Sequence, residues 1–536
     1  MIVDARADAL ARLDGGRFDL LVIGGGATGA GVALDAATRG LAVAMVERDD
    51  FSAGTSSRST KLIHGGVRYL EKAVKEFDRT QFALVRDALR ERAVLIDIAP
   101  HLARALPLVT PLYNWFQVPY FMTGLKMYDW LAGKANLHPS RFVDAKEALE
   151  RFPMLRADGL RGAVVYYDGQ FDDARMNVAL AMTAVEEGAV VANHAEVTGL
   201  LKEEGRVRGA RLRDRESGSE LDVHAQVVVN ATGPFTDQIR RMDDPGTPPM
   251  LTASSGIHIV LDERFSPPET GLLIPETEDG RVLFLLPWQG HTLIGTTDNP
   301  ADIEAHPKAS DDEVEYVLRH VRKYFSIPVD RDDVLSTWSG LRPLVSDPDA
   351  ADTARLSRDH VVNISEAGLM TIAGGKWTTY RKMALDAVDQ AIRLGELEAG
   401  ASRTQDRKLV GGAGYSPVLA GELQERFGLD HDVASHLAGA YGDRAHEVAE
   451  LAESDELGAR LVEGHPYLEA EVLYGARHEM ARSSSDVLAR RTRLAFLDRD
   501  AAVGALARVN ELLAGELDWD AGRATADRAD AMAYLV

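Results

Sequence analysis

The chain contains no cysteine. Disulfides, thiolate nucleophiles, Cys-ligated zinc and Cys-held iron–sulfur clusters are therefore excluded. It also lacks an apolar run of about 18 residues, the length a helix needs to cross a bilayer, so no spanning segment is expected. The opening stretch MIVDARADALARLDGG carries three Asp and no apolar core. No secretory signal is expected there, and the compartment is read as cytoplasmic. Positive charge is outnumbered, with 60 Lys and Arg against 83 Asp and Glu, a formal net charge of −23. Such a surface does not attract nucleic acid or an anionic membrane as a whole, although it leaves room for a local basic pocket. Neither an internal repeat nor a low-complexity segment is present.

What is present is ordinary for a globular chain: 536 residues, 45% hydrophobic and 27% charged. That length suits two or three domains around a large core. Near the N-terminus, FDLLVIGGGATGAGVALDAATRGLAVAMVERDD has a definite order. Phe18 to Ile23 reads as a buried parallel strand. Gly24, Gly26 and Gly29 fit G-x-G-x-x-G, Gly31 to Arg39 reads as a helix, and Gly40 stands where its cap belongs. Leu41 to Val46 is a second strand, closed by Glu47. Glycines allow a tight turn and close approach of a pyrophosphate to the positive end of a helix. A carboxylate closing the second strand accepts hydrogen bonds from a ribose. The segment is read as a dinucleotide site.

Two further pieces extend it. AQVVVNATG runs a strand into Ala231-Thr232-Gly233, the second contact expected of flavin-binding folds. GLMTIAGGKWTTYRKMALDAV gives a strand over Leu369 to Ala373, a turn at Gly374-Gly375, and a helix with Thr378 or Thr379 as cap. That helix N-terminus suits the negative edge of a reduced flavin. The stretch TSSRSTKLIHGGVRYL, residues 55–70, fits neither helix nor strand. It is crowded with hydroxyls and cations.

In combination, GGGATGAG, TSSRSTKLIHGGVRYLEKA, VVNATGPFTDQI, PWQGHTLIGTTD, WSGLRPL and GGKWTTYRK resemble the FAD-dependent glycerol-3-phosphate dehydrogenases. YLEAEVLYGARHEMARSSSDVLARRTRLAFLD is similar to that family's helical domain. The likeness runs from about residue 18 to about residue 515; the wider superfamily resembling D-amino-acid oxidase shares only the first loop and general layout. The resemblance implies an α/β plus α+β fold. Its parts are a Rossmann-like FAD domain from 17–80, 155–235 and 335–400, an antiparallel-sheet substrate domain from 81–154 and 236–334, and an all-helical C-terminal domain over 405–536, with GGAG as a hinge-like start. It implies FAD contacts at Gly24, Gly26, Gly29, Glu47, Ser57, Thr60, Lys61, Leu62, His64, Gly65, Ala231, Thr232, Gly233, Gly375, Trp377 and Thr378. Gly65 and Gly66 are expected to admit the isoalloxazine ring.

Glycerol 3-phosphate carries about two negative charges near neutral pH, so its pocket needs several fixed cations. The resemblance points to Arg68, Arg342, Arg358 and Lys376, with Tyr69 beside them. Arg supplies a fork for two phosphate oxygens, and Lys a point charge. Hydride transfer from a secondary alcohol also needs a base for the hydroxyl proton, and His258, in SSGIHIVLD, matches the family's pocket histidine; His64, in LIHGG, is the rival, read as a flavin contact rather than the base. Arg342 can hold phosphate and stabilise a developing alkoxide; Arg342, Lys376 and His258 are taken as catalytic.

Three elements complete the reading. LPLVTPLYNWFQVPYFMTGLKMYDWLAG is taken as core packing, the alternative being an aromatic membrane-contact face. Gly256 to Thr297 is expected to form strands roofing the substrate, with Asp298-Asn299-Pro300 as a turn. The Arg-rich stretch from Arg482 to Arg493 is a candidate membrane patch. ELDWDAGRATADRAD lacks the ligand pattern of a calcium-binding EF-hand, and no metal site is predicted.

The expected reaction is oxidation of sn-glycerol 3-phosphate to dihydroxyacetone phosphate by non-covalently bound FAD. A quinone is the expected acceptor, at the inner face of the cytoplasmic membrane, and the resemblance hints at a homodimer. The alternatives are an oxidase delivering electrons to O₂, an amine or amino-acid oxidase on the same fold, and a non-catalytic flavoprotein. Relatives of the first kind carry a mid-chain insertion that is absent here. The second needs fewer cations than this chain offers.

Overall fold

The computed structural model describes residues 5–66, 79–278, 280–345 and 360–536. Arg68, Tyr69 and Arg358 lie outside the described residues.

The strand Arg17–Ile23 is buried from Leu20 onward, as its unbroken apolar run requires. It pairs in parallel with Val43–Val46 on one side and Glu220–Asn230 on the other. Met370–Gly374 and His360–Ile364 extend the sheet beyond Glu220–Asn230, and Val190–Ala192 extends it beyond Val43–Val46. The hairpin Ala195–Glu203 and Arg206–Asp214 attaches to Glu220–Asn230, making eight described strands. The helix of the glycine segment spans Ala27–Thr38, four residues earlier than its sequence pattern suggests. Its N-terminus therefore abuts the glycine loop directly. Gly40, at φ +85°, follows its end as expected.

A second sheet of ten described strands is built mainly of antiparallel pairs. Its centre is the long strand Leu251–Asp262, flanked by Val334–Val345 and His291–Gly295. Gly162–Phe171 and Val334–Val345 both belong to this sheet, although the sequence division places them with the cofactor domain. Their hydrogen-bonding partners decide the matter, and partners distant in sequence leave no local signal. Asn299–Ala301, expected as a turn, pairs as a short strand with Ala253–Ser255.

Helices from Leu419–Phe427 to Ala521–Leu535 form the C-terminal domain. Its core is continuous with one face of the second sheet: Leu423, Leu437 and Phe496 share a cluster with Trp288 and Trp338. Buried ion pairs tie it to the cofactor domain, Arg491 to Asp50 at 2.7 Å and Arg175 to Glu479 at 2.7 Å. GGAG is no free hinge. Gly411 accepts a backbone hydrogen bond from Asp443, and a Cβ on Gly412 would stand 2.8 Å from the Ile98 carbonyl. The basic stretch is equally enclosed: Arg490, Arg491 and Arg493 are buried, and Arg482 pairs with Glu216. A membrane patch there is ruled out by these partners.

The aromatic segment also departs from its expected core role. Its helix, Gln117–Ala132, buries Leu125, Tyr128 and Ala132. Trp115, Phe116, Tyr120 and Trp130 stand exposed, at 58, 89, 51 and 76%. Among the described residues, no helix is long and apolar enough to cross a membrane.

Candidate active site

A single cavity of about 1280 Å³ runs between the two sheets. It exceeds the roughly 300–1,000 Å³ of a typical small-ligand pocket. One end is the glycine loop. Glu47 accepts hydrogen bonds from the N–H groups of Gly25, at 2.6 Å, and Asp49, at 2.9 Å. Burial raises its pKa, with Asp49 adding to the rise.

Glycine is needed where backbone meets backbone. A Cβ at Gly24 would lie 2.7 Å from the Ala231 carbonyl oxygen, and one at Gly29 would overlap the carbonyl of Gly24. Gly24 and Gly26 line the cavity with Ala231, Thr232 and Gly233, whereas Gly29 packs behind them. Gly26 caps the helix without a side-chain bond; the Ala27 N–H is taken by Ser56 Oγ, and Gly26, Ala27 and Thr28 line the cavity at the helix end. The loop, the helix end, the carboxylate and the cavity's volume fit an FAD. Gly24, Gly26, Glu47 and the Ala231–Gly233 turn would hold its dinucleotide portion.

The hydroxyl-rich stretch divides by side. Ser56, Arg58, Ser59, Thr60, Leu62, His64 and Gly66 line the cavity. Ser57, Lys61 and Gly65 do not. The Lys61 ammonium, expected at the flavin, is instead wholly buried on the Asp173 carboxylate at 2.7 Å, and Lys61 is not among the residues lining the cavity. Gly65 is needed for a different neighbour than expected. Its Cβ would lie 2.8 Å from Leu89 and from the Tyr128 hydroxyl, to which its N–H donates.

The GGK turn brings Gly375, Lys376, Trp377 and Thr378 to the same cavity. Trp377 donates from its indole to the Ser56 carbonyl at 2.8 Å. Thr378 accepts the His64 N–H at 3.3 Å rather than capping the following helix. Thr379 is the N-cap residue, without a side-chain cap bond.

Facing these is the strand Leu251–Asp262. His258 stands between Trp338 and Gly295 on the neighbouring strands. It stacks on the Trp338 ring, centroids 4.0 Å apart and planes 19° from parallel. A Cβ at Gly295 would overlap the imidazole. Its Nε2 lies 2.9 Å from Thr60 Oγ1, and Nδ1 is buried with no partner among the described residues. Burial holds its pKa well below the usual imidazole value, and the charges of Lys61 and Arg342 push the same way. A neutral imidazole is a base in waiting.

Arg342 reaches across Gly256, where any Cβ would meet the guanidinium. It donates to Thr296 Oγ1 at 3.1 Å and the Thr297 carbonyl at 3.0 Å, and pairs with Asp298 at 3.2 Å. Arg342, Lys376 and His258 thus share one wall system, from three segments distant in sequence.

The sequence reading missed several lining residues. Ser56 accepts the Ala27 N–H at 2.9 Å, binding the hydroxyl-rich stretch to the glycine helix. Arg58 is buried, donates to the Ser339 carbonyl at 3.2 Å, and lies beside His306. Thr296, Thr297 and Asp298 fix Arg342. All five in TSSRST and GTTD lay inside motifs already noted, but which side faced the cavity had no period to reveal it.

Comparison with known proteins agrees with this geometry. The "FAD dependent oxidoreductase" family matches residues 19–381, and the "C-terminal domain of alpha-glycerophosphate oxidase" matches residues 402–524. The chain is 54% identical to "Glycerol-3-phosphate dehydrogenase, mitochondrial" of Homo sapiens, over 94% of this chain and 71% of that one. It is 52% identical to "Glycerol-3-phosphate dehydrogenase SDP6, mitochondrial" of Arabidopsis thaliana, over 97% of this chain and 86% of the relative. The solved glycerol-3-phosphate dehydrogenase of Bacillus halodurans, complexed with FAD, is 30% identical. It superposes with a TM-score of 0.81 over 99% of this chain and 97% of its own. Glycine oxidase from Geobacillus kaustophilus, at 21% identity and TM-score 0.52, shares the fold. A glycine-loop dinucleotide site, a buried neutral histidine and a cationic wall therefore coincide with full-length likeness: the chain belongs to the FAD-dependent glycerol-3-phosphate dehydrogenases.

Proposed function

We propose that this protein oxidises sn-glycerol 3-phosphate to dihydroxyacetone phosphate and passes the electrons to a membrane quinone. The observation that carries the reading is one cavity lined at once by the glycine loop, Arg342, Lys376 and His258. FAD, bound along the glycine loop, supplies the acceptor for the two electrons. Arg342 and Lys376 hold the phosphate, with Arg68, Tyr69 and Arg358 assigned to the same task from the sequence. His258 receives the hydroxyl proton. Arg342 also stabilises negative charge on the oxygen as that proton leaves.

Apolar lining of the cavity supports a quinone acceptor: Leu84, Tyr120, Phe121, Leu273, Val282 and Phe284 are among its walls, side chains suited to an apolar ring. Tyr120 belongs both to this lining and to the exposed aromatic face of Gln117–Ala132. Trp and Tyr favour the lipid–water interface, so that face supports peripheral attachment beside the quinone's entry.

The test is anaerobic mixing of the holoenzyme with glycerol 3-phosphate, glycerol or an amino acid, following the visible absorbance of oxidised flavin. Bleaching by glycerol 3-phosphate alone is expected. Bleaching by an amino acid instead would overturn the substrate assignment. Re-oxidation by a quinone but slowly by air supports the acceptor; fast re-oxidation by air would replace it with O₂.

A further inference from the structure

His258 is 2% exposed, whereas Thr60, its hydrogen-bond partner, is half-buried and lines the cavity. One imidazole nitrogen is on the threonine hydroxyl and the other is buried without a partner among the described residues. Both residues line the cavity, and Thr60 is the more exposed of the two.

We propose that Thr60 is a catalytic residue, relaying the proton from the substrate's secondary hydroxyl to His258. The proposal rests on His258 being the base. The substrate O–H donates to Thr60 Oγ1, and the Thr60 O–H donates to His258 Nε2. As the hydride leaves carbon 2 for FAD, the substrate proton passes to Thr60 and the threonine proton passes to Nε2. The alcohol loses two electrons and two hydrogens, the hydride going to the FAD that the glycine loop would hold, and His258 ends as imidazolium with threonine restored. A hydroxyl can do this because it donates and accepts at once. Valine, of the same shape, cannot.

The surroundings hold Thr60 to that task. Asp173 Oδ2 accepts from the Ser59 N–H at 3.0 Å, the Ser59 O–H at 2.7 Å and the Lys61 ammonium at 2.7 Å. Lys61 donates also to the carbonyls of Ser57, at 2.9 Å, and Ser59, at 3.1 Å. Its backbone sits at φ +62°, a conformation that non-glycine residues adopt only when their surroundings impose it. From the C-terminal domain, Arg493 donates to the Ser57 carbonyl at 2.8 Å and to Asp173 Oδ1 at 3.3 Å. Both residues flanking Thr60 are thereby anchored to one buried carboxylate, which fixes the backbone that presents Thr60 to His258. The helical domain is in this sense part of the active site.

The experiment compares wild type, Thr60→Val, Thr60→Ser, His258→Ala and the Val/Ala double variant, each as holoenzyme. The rate of anaerobic flavin reduction by glycerol 3-phosphate is measured with its solvent deuterium dependence. Flavin content and binding of inorganic phosphate serve as controls. Thr60→Val is expected to slow reduction by about 100-fold, the low end of what positioned proton transfer contributes. Phosphate binding and flavin content should hold, and Thr60→Ser should restore most of the rate. The double variant should be no slower than the slower single variant, since the two residues act as a unit. A Thr60→Val enzyme as fast as wild type, beside an inactive His258→Ala enzyme, overturns the relay and keeps the base. Both single variants running near the wild-type rate overturns the base itself. Loss of flavin or of phosphate binding in Thr60→Val makes Thr60 a binding contact and rejects the relay.

Discussion

Arg342 holds its guanidinium 3.2 Å from the Asp298 carboxylate on the cavity wall, with Thr296 and the Thr297 carbonyl on its other side. The arginine is thus preset before substrate arrives. Arg342→Met keeps much of the volume and removes the donors. A charged hydrogen bond contributes about 1.5–3 kcal/mol, so kcat/KM for glycerol 3-phosphate should fall roughly 10- to 150-fold. Arg342→Lys should recover only part, because the paired fork is lost. Steady-state kinetics checks both.

Two glycines separate cofactor binding from catalysis. A Cβ at Gly29 overlaps the Gly24 carbonyl, and one at Gly295 overlaps the His258 ring. Gly29→Ala should yield protein largely without flavin, read from the ratio of visible to ultraviolet absorbance. Gly295→Ala should bind flavin normally and lose most of the about 10²–10⁴-fold contribution of the base.

His194 gives a pH signature of stability rather than of turnover. Its Nε2 lies 2.9 Å from Asp486, across the junction between cofactor and helical domains. Burial alone would lower its pKa, but the Asp486 charge and hydrogen bond outweigh burial and raise it. A raised folded pKa stabilises fully below the unfolded value, about 6.5, and the gain is lost as pH climbs through the raised value. His194→Asn suits the residue's φ of +50° and removes the charge. The wild type should exceed it in Tm most at or below about pH 6. The gap should narrow above neutrality; a gap independent of pH would refute the ion pair.

The exposed aromatic face predicts a division between acceptors. Phe116→Ser with Trp130→Ser removes two large exposed rings, at 89 and 76% exposure, neither of which lines the cavity. Co-sedimentation with phospholipid vesicles and turnover with a long-tailed quinone should fall several-fold. Turnover with a water-soluble dye should not change. Unaltered vesicle binding would place attachment elsewhere.

The sequence by itself determined whatever is local and periodic. The apolar run Leu20–Ile23, three spaced glycines and a following carboxylate leave few alternatives to a strand–turn–helix–strand dinucleotide loop, because each step is dictated by backbone conformation and near neighbours. His258 was legible as a polar residue between apolar neighbours, Ile257 and Ile259, and Arg342 as a charge within WSGLRPL. Family resemblance linked them.

Tertiary structure alone decided three other matters. Lys61 and Thr60 are adjacent and equally polar, yet one is turned onto Asp173 and the other toward His258; an irregular loop has no period to tell its sides apart. Gln117–Ala132 reads as core from composition, but its exposure depends on which of its faces finds a partner. Arg490, Arg491 and Arg493 look like a basic surface and are buried, because beside the nearby Asp486 and Glu479 they meet Asp50 and Asp173, which come from more than 300 residues away. A charge is stable inside a protein only beside its counter-charge, and where that counter-charge sits is decided by the assembled fold.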